Sequence, residues 1–223
     1  MHYVLHYGQI TPYLPYLMGG MLISLALSIL SFAGGTILGL FFAILRNEGG
    51  ISSRLVRCYV AFFTNTPQLV QIYVIYFGLP DFGILFSPFA AVLIGMTLNA
   101  AGYLTEILRA GLASVHAPEL DAAETLNMNR WQTLRHVILP HLFRVTMPAL
   151  TNQYILMTLG TSMASIFGVE ELTGRAFNIN STTFRSIEIF TTVAGLYVIV
   201  TFIATILLAL FGRFAFRARV PVL

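Results

Sequence analysis

"DAAETLNMNRWQTLRHVILP", residues 121–140, is a polar island in an apolar chain. It holds two acidic residues, two arginines and the only tryptophan, in a chain of 223 residues that is 57% hydrophobic and 9% charged. A mean hydropathy of +0.81 and so few charges lie far from a soluble domain, where about a quarter of residues are charged. The chain therefore reads as an integral membrane protein, and the island as a segment standing outside the bilayer.

Cutting the sequence at its charges on either side of the island leaves five charge-free windows, 1–45, 58–80, 82–105, 145–169 and 189–212. Each is long enough for a helix to cross a hydrocarbon core, which takes roughly 20 residues. Continuous apolarity without strand alternation favours helices, which satisfy their own backbone, over a barrel. The expected fold is all-α, one membrane domain over 1–223, with crossings at about 16–45, 58–80, 87–108, 145–167 and 189–212 and a polar loop at about 110–144. The first window lacks a basic leading region, since the first arginine is Arg46, so it reads as a retained helix and not as a signal peptide.

All twelve basic residues are arginine, and ten of them (Arg46, Arg54, Arg57, Arg109, Arg130, Arg135, Arg144, Arg213, Arg217 and Arg219) fall on one side of this arrangement. Arg175 and Arg185 fall on the other. The positive-inside rule then puts the N-terminus outside and the C-terminus in the cytoplasm, as an odd number of crossings requires. The basic pI thus follows from topology; no basic run with interleaved aromatics points to nucleic acid. A lone Cys58, no His/Cys cluster at ligand spacing and no Gly-rich loop with a lysine leave no disulfide, metal or nucleotide device.

Within the island, Pro118 suits a first helical turn, and Glu119 and Asp121 suit the positive end of a helix. Asn127 interrupts it, and asparagine is, after glycine, the residue that best takes the left-handed turn ending a helix. Asn129 with Gln132 three residues on reads as a capping box starting a second helix, whose apolar face Trp131, Leu134, Val137 and Ile138 runs up to Pro140.

The spacing Asp121, Ala122, Ala123, Asn127, Val137, Leu139, Pro140 resembles the cytoplasmic loop of permease subunits of binding-protein-dependent ABC importers. That pattern is an acid, two alanines, three residues, glycine, nine residues, then isoleucine, any residue, leucine and proline. Here Asp, Asn and Val stand for its usual Glu, Gly and Ile. "TPQLVQIYVIYFGLP" at 66–80 and "AGYLTEILRAGLASV" at 101–115 resemble the second-span and third-span signatures of polar amino acid importers. The likeness runs from about Gly19 to Phe214. It implies an inner-membrane transport subunit with no chemistry of its own. It would pair with a second permease, identical or homologous, with an ATPase dimer that binds ATP and Mg, and with an external solute-binding protein that delivers the amino acid. The resemblance also makes the first helix of the island a coupling helix, carried by Glu119, Asp121, Ala122, Ala123, Glu124, Leu126, Asn127 and Met128.

Polar residues within spans are costly and so are candidates for a substrate pathway, or else hydrogen bonds between helices. Thr64, Gln68 and Gln71 recur at helical spacing in the second span; Asn99, Tyr103 and Glu106 in the third; Thr158, Ser162 and Ser165 in the fourth, with Thr161 beside them. Glu106 either pairs with Arg109 along its helix or lends negative potential toward a cationic substrate. Where many relatives resemble Leu-Lys-Asp-Thr-Ser-Leu, this chain has "LGTSM" at 159–163, so Leu159 and Gly160 replace the usual Lys-Asp pair and a partner permease would supply the missing charge. The segment 164–188, with Glu170, Glu171, Arg175, Arg185 and Glu188, reads as an external surface that meets a docking protein.

Two other classes compete. A stand-alone ion-coupled carrier or channel calls for a buried mid-span ion pair and inverted repeats. An intramembrane enzyme calls for a nucleophile and base within the spans, whereas His2, His6, His116, His136 and His141 all lie outside their central parts.

Overall fold

The computed structural model describes residues 4–47 and 49–216, and every regular element among them is helical. Arg217, Arg219 and His2 lie outside the described residues. The bundle comprises α1 (Leu14–Asn47), α2 (Gly50–Asn65), α3 (Gln68–Tyr73), α4 (Pro88–Ala113), α5 (Ala117–Thr125), α6 (Arg130–Thr133), α7 (Leu139–Gly160), α8 (Leu172–Thr183) and α9 (Ser186–Phe216). Three stretches, Tyr7–Arg46, Pro88–Ala113 and Ser186–Phe214, are each long and apolar enough to cross a membrane. A fourth, Arg130–Phe167, bends by 49° into Leu172–Thr183. At 1.5 Å per residue the 34 residues of α1 extend about 51 Å, well beyond a hydrocarbon core of about 30 Å.

Two prolines act differently from their reading in the sequence. Pro67 does more than kink the second crossing. Thr66 ahead of it is forced into an extended conformation, φ −113°, ψ 142°, and the helix divides into α2 and α3. Thr64 and the pair Gln68 and Gln71 therefore do not share one continuous helix. Pro140, expected to end the second helix of the island, does not end it. A π-helical turn, Leu134–Ile138, widens the backbone just ahead of the proline, and the chain runs on into α7. The wider turn accommodates a ring that would clash with a carbonyl four residues back, and the missing N–H falls where the bonding pattern already shifts.

Contacts fix the helix directions. Gly34, Gly35 and Gly39 of α1 meet Thr97, Ala100 and Leu104 of α4 in the same order, so these two run parallel. Gly111 at the end of α4 meets Leu142 and Thr146 near the start of α7, whereas Gly95 meets Ile72 and Gly102 meets Phe63, so α2, α3 and α7 run the other way. Close approach is what the α1 glycines permit. A Cβ on Gly39 would stand 3.0 Å from Leu104 Cβ and 3.1 Å from the Thr105 backbone nitrogen. Behind that contact Ala43, Ala100, Leu104, Leu108, Leu142 and Leu150 form a core joining α1, α4 and α7.

The two ends differ in charge. Arg46, Arg109 and Arg144 gather where α1 and α4 end and α7 begins, together with α5. Arg175 and Arg185 lie at the opposite end, beside the start of α1 and α9, where Leu17, Leu172, Ile189 and Val193 make a second core.

Candidate functional site

The break at Pro67 creates a polar node. With no N–H at Pro67, the Phe63 carbonyl loses its helical partner, and Asn99 Nδ2 on α4 and Gln71 Nε2 on α3 each donate to it at 3.0 Å. Gln71 Nε2 also donates to the Thr66 carbonyl and hydroxyl, at 3.1 and 2.6 Å, while its Oε1 accepts from Asn99 Nδ2 at 3.1 Å. Tyr103 donates its hydroxyl to the Thr64 carbonyl at 3.2 Å, and Thr64 Oγ1 donates to the Val60 carbonyl. Gln71 and Asn99 are buried, so their first task is to splint the broken helix. Tyr103, at 40% exposure, keeps one face open. Gln68 is half-buried, and among the described residues its side-chain amide has no hydrogen-bond partner. A Cβ placed on Gly160 would meet Gln68 Oε1 at 3.5 Å, so Gln68 faces the position of the replaced Lys-Asp pair.

In the fourth crossing the expected stripe is rearranged, because α7 tightens after Gly160 into a 3-10 helix, Thr161–Phe167. With about three residues per turn, Ser162 and Ser165 align, as do Thr158 and Thr161. Each hydroxyl donates to a carbonyl one turn back: Thr158 to Tyr154, Thr161 to Thr158, Ser162 to Leu159 and Ser165 to Ser162. Thr158 and Thr161 are fully enclosed; Ser162 and Ser165 are half-buried.

Glu106 stands between two cations. Arg46 of α1 contacts its Oε1, and Arg109 Nε and Nη2 lie 3.2 and 3.0 Å from its Oε2. The Glu106–Arg109 pair expected along the helix is present, and a second arginine adds to it. The three-residue group carries a net positive charge, so Glu106 offers no uncompensated negative potential to a substrate.

The island follows its local signals. Helix α5 carries Pro118 in its first turn and ends at Leu126. Asn127 has φ 56°, its N–H donates to the Glu124 carbonyl at 2.8 Å, and the Met128 N–H donates to the Ala123 carbonyl at 3.0 Å. Those two bonds form a Schellman closure. Asn129 and Gln132 then form a reciprocal capping box, both bonds at 2.9 Å. Ala123 is buried against the bundle; Glu119 is half-buried and Asp121, Ala122 and Glu124 face outward. Leu126 is 75% and Trp131 64% exposed.

Two features escape a sequence-only reading. Glu171 is buried at the N-cap of α8, where its carboxylate accepts from the Thr173 and Gly174 amides at 2.9 and 2.8 Å and from the Ser24 and Tyr197 hydroxyls at 3.1 Å each. It ties α8 to α1 and α9. Glu188 is also buried and accepts from the His6 backbone N–H at 3.1 Å and from Arg185. Arg175 lies across Tyr16, 4.5 Å from the ring centroid, and donates to the Tyr16 carbonyl at 2.7 Å. Much of the charge at 164–188 is thus consumed inside the fold, which corrects its reading as an open docking surface. Asn152, by contrast, is an exposed polar residue on α7 and belongs on the candidate pathway by the same criterion as the others.

The profile of the binding-protein-dependent transport system inner membrane component matches residues 35–220. The glutamine transport system permease protein GlnP of Escherichia coli (strain K12) is 35% identical over 207 residues, covering 91% of this chain and 94% of its own. The octopine transport system permease protein OccM of Rhizobium meliloti is 37% identical, covering 87% and 83%. A chain from the crystal structure of an amino acid ABC transporter with histidines superposes with a TM-score of 0.84 at 31% identity, covering 95% of this chain and 99% of its own. The inward-facing MetNI methionine ABC transporter shares the fold, with a TM-score of 0.75 at 21% identity.

Fold and relatives together define the class: a membrane-embedded permease subunit of an ABC importer. The chain belongs to the binding-protein-dependent transport system inner membrane component family. In that family a separate ATPase binds and hydrolyses ATP and a binding protein supplies the solute, so this chain is a transport subunit and not an enzyme.

Proposed function

We propose that this chain forms one half of the membrane pathway of an ATP-driven importer of polar amino acids in the inner membrane. It crosses the bilayer five times, the α2–α3 pair counting as one broken crossing, with the N-terminus outside and the C-terminus in the cytoplasm. The alternating helix directions and the separation of Arg46, Arg109 and Arg144 from Arg175 and Arg185 support that topology. Amino acid substrates follow from the relatives, whose names specify glutamine and octopine. Gln68, Tyr103, Ser162 and Asn152 are the polar side chains still open to a solute, and a second permease, identical or homologous, supplies the charge absent at Leu159 and Gly160.

The observation that carries the coupling role is the exposed apolar surface at the arginine-rich end. Leu126 and Trp131 stand free beside a helix whose ends are both closed by its own sequence. Such a rigid projection fits a cleft on an ATPase dimer, with Asp121, Ala122 and Glu124 on the contacting side. Replacing Ala122 by phenylalanine is expected to leave the permease folded but to abolish ATP-driven uptake by the complex. Normal uptake with Phe at that position would contradict the assignment.

A further inference from the structure

His141, the third residue of α7, uses both ring nitrogens at once. Nδ1 lies 3.4 Å from Glu119 Oε2 on α5, and Nε2 lies 3.2 Å from Ser114 Oγ at the end of α4. Ser114 has one hydroxyl proton and donates it to the Gly111 carbonyl at 2.7 Å, so only lone pairs face Nε2. An ionised Glu119 likewise only accepts. Both nitrogens must then donate, and only the imidazolium form has two N–H groups. A neutral ring, with one, has to release either Glu119 or Ser114.

We propose that Ser114, Glu119 and His141 form a proton-dependent clamp that fixes α5 against the end of α4 and the start of α7, so that coupling tightens as the pH on that side falls. The proposal rests on the reading of α5 as the coupling helix and adds a regulatory element to it. The ionisable groups around the ring are these. Glu119 favours its charge. His136 and Arg144, which line the same cavity of about 330 Å³ with Val137 and Pro140, oppose it. The His116 ring at the N-cap of α5 stands edge-on, 6.0 Å away. Imidazole changes charge between about pH 5 and 8, the range in which a cytoplasmic clamp is useful. The sign is fixed by the proton count: the clamp is complete on the acid side and loses one contact as pH rises.

Two measurements test it separately from the coupling role. Nitrogen NMR of labelled histidine in the purified permease, with His141 assigned from the signal lost in His141→Gln, reads the ring directly. Two protonated nitrogens are expected at about pH 6.5, changing to one by about pH 8.5. A neutral ring at the lower pH overturns the clamp and says nothing against α5 as the coupling helix. In vesicles holding the full importer, the ratio of uptake to ATP hydrolysis is expected to fall about two- to fivefold over the same range, the worth of one partly exposed ion pair. The fall should vanish in Glu119→Gln and His141→Gln and shrink in Ser114→Ala, which removes only the acceptor at Nε2. The same fall in all three variants would overturn the proposal.

Discussion

Valine at position 127 is expected to uncouple the importer, and glycine there is not. Asn127 holds φ 56° and closes α5 through two bonds, its own N–H to Glu124 at 2.8 Å and the Met128 N–H to Ala123 at 3.0 Å. A β-branched residue held left-handed costs about 1–2 kcal/mol, whereas glycine takes that conformation freely. If valine leaves the conformation instead, both bonds are lost, at about 0.5–1.5 kcal/mol each. Either route costs about 2 kcal/mol, which lowers the ratio of closed to open turn roughly thirtyfold at 1.4 kcal/mol per decade. Glycine adds unfolded-state entropy worth about 0.5–1 kcal/mol and keeps both bonds. The assay is the ratio of amino acid uptake to ATP hydrolysis in vesicles containing the complete importer, with thermal unfolding of the permease alongside. Asn127→Gly should retain most of the wild-type ratio and Asn127→Val should lose most of it. Equal tolerance of the two would refute the reasoning, because it would mean that the left-handed turn is not what holds α5.

Gln71→Leu and Asn99→Leu are each expected to lower stability by about 1–3 kcal/mol, by leaving the Phe63 and Thr66 carbonyls short of donors. Their double variant should cost less than the sum, since the two amides also bond each other; strict additivity in thermal unfolding would show that they act apart. Gly39→Ala should cost about 1–3 kcal/mol, because its methyl meets the α4 backbone, while Gly8→Ala, with open space around it, should be near neutral; equal melting temperatures would contradict the close α1–α4 contact. Glu171→Ala should cost at least the roughly 0.5–2 kcal/mol of a lost N-cap, since it also strands the Ser24 and Tyr197 hydroxyls. Glu170→Ala, at an exposed site, should stay within about 0.5 kcal/mol; matching losses in the two would argue against the buried carboxylate as the tie between α8, α1 and α9.

Signals that act within a few residues were legible in the sequence. The Asn127 turn, the Asn129–Gln132 box and Pro118 in a first turn each depend on one backbone conformation and one short-range bond, and each is present. The effects of Pro67 and Pro140 were not, because whether a proline bends, divides or merely shifts a helix depends on what else can satisfy the freed carbonyls. At Pro67 that answer lies 32 residues away in the sequence numbering, at Asn99. The polar stripes failed as a geometric prediction for the same reason: spacing of i, i+4 and i+7 marks one face only while the helix stays continuous, and both the second and fourth crossings change their winding within the stripe. Glu171 and Glu188 read as surface charges because burial of a carboxylate is set by partners on α1, α9 and the N-terminal segment, none of them near in sequence.

The central claim is that this chain moves solute only as part of an ATP-driven assembly. Its most direct test is uptake of labelled amino acid into vesicles holding the purified chain, with and without its ATPase and binding protein. Uptake that appears only with both partners and ATP is the predicted result. Uptake by the chain alone, at a rate that ATP and the partners do not change, would contradict the account.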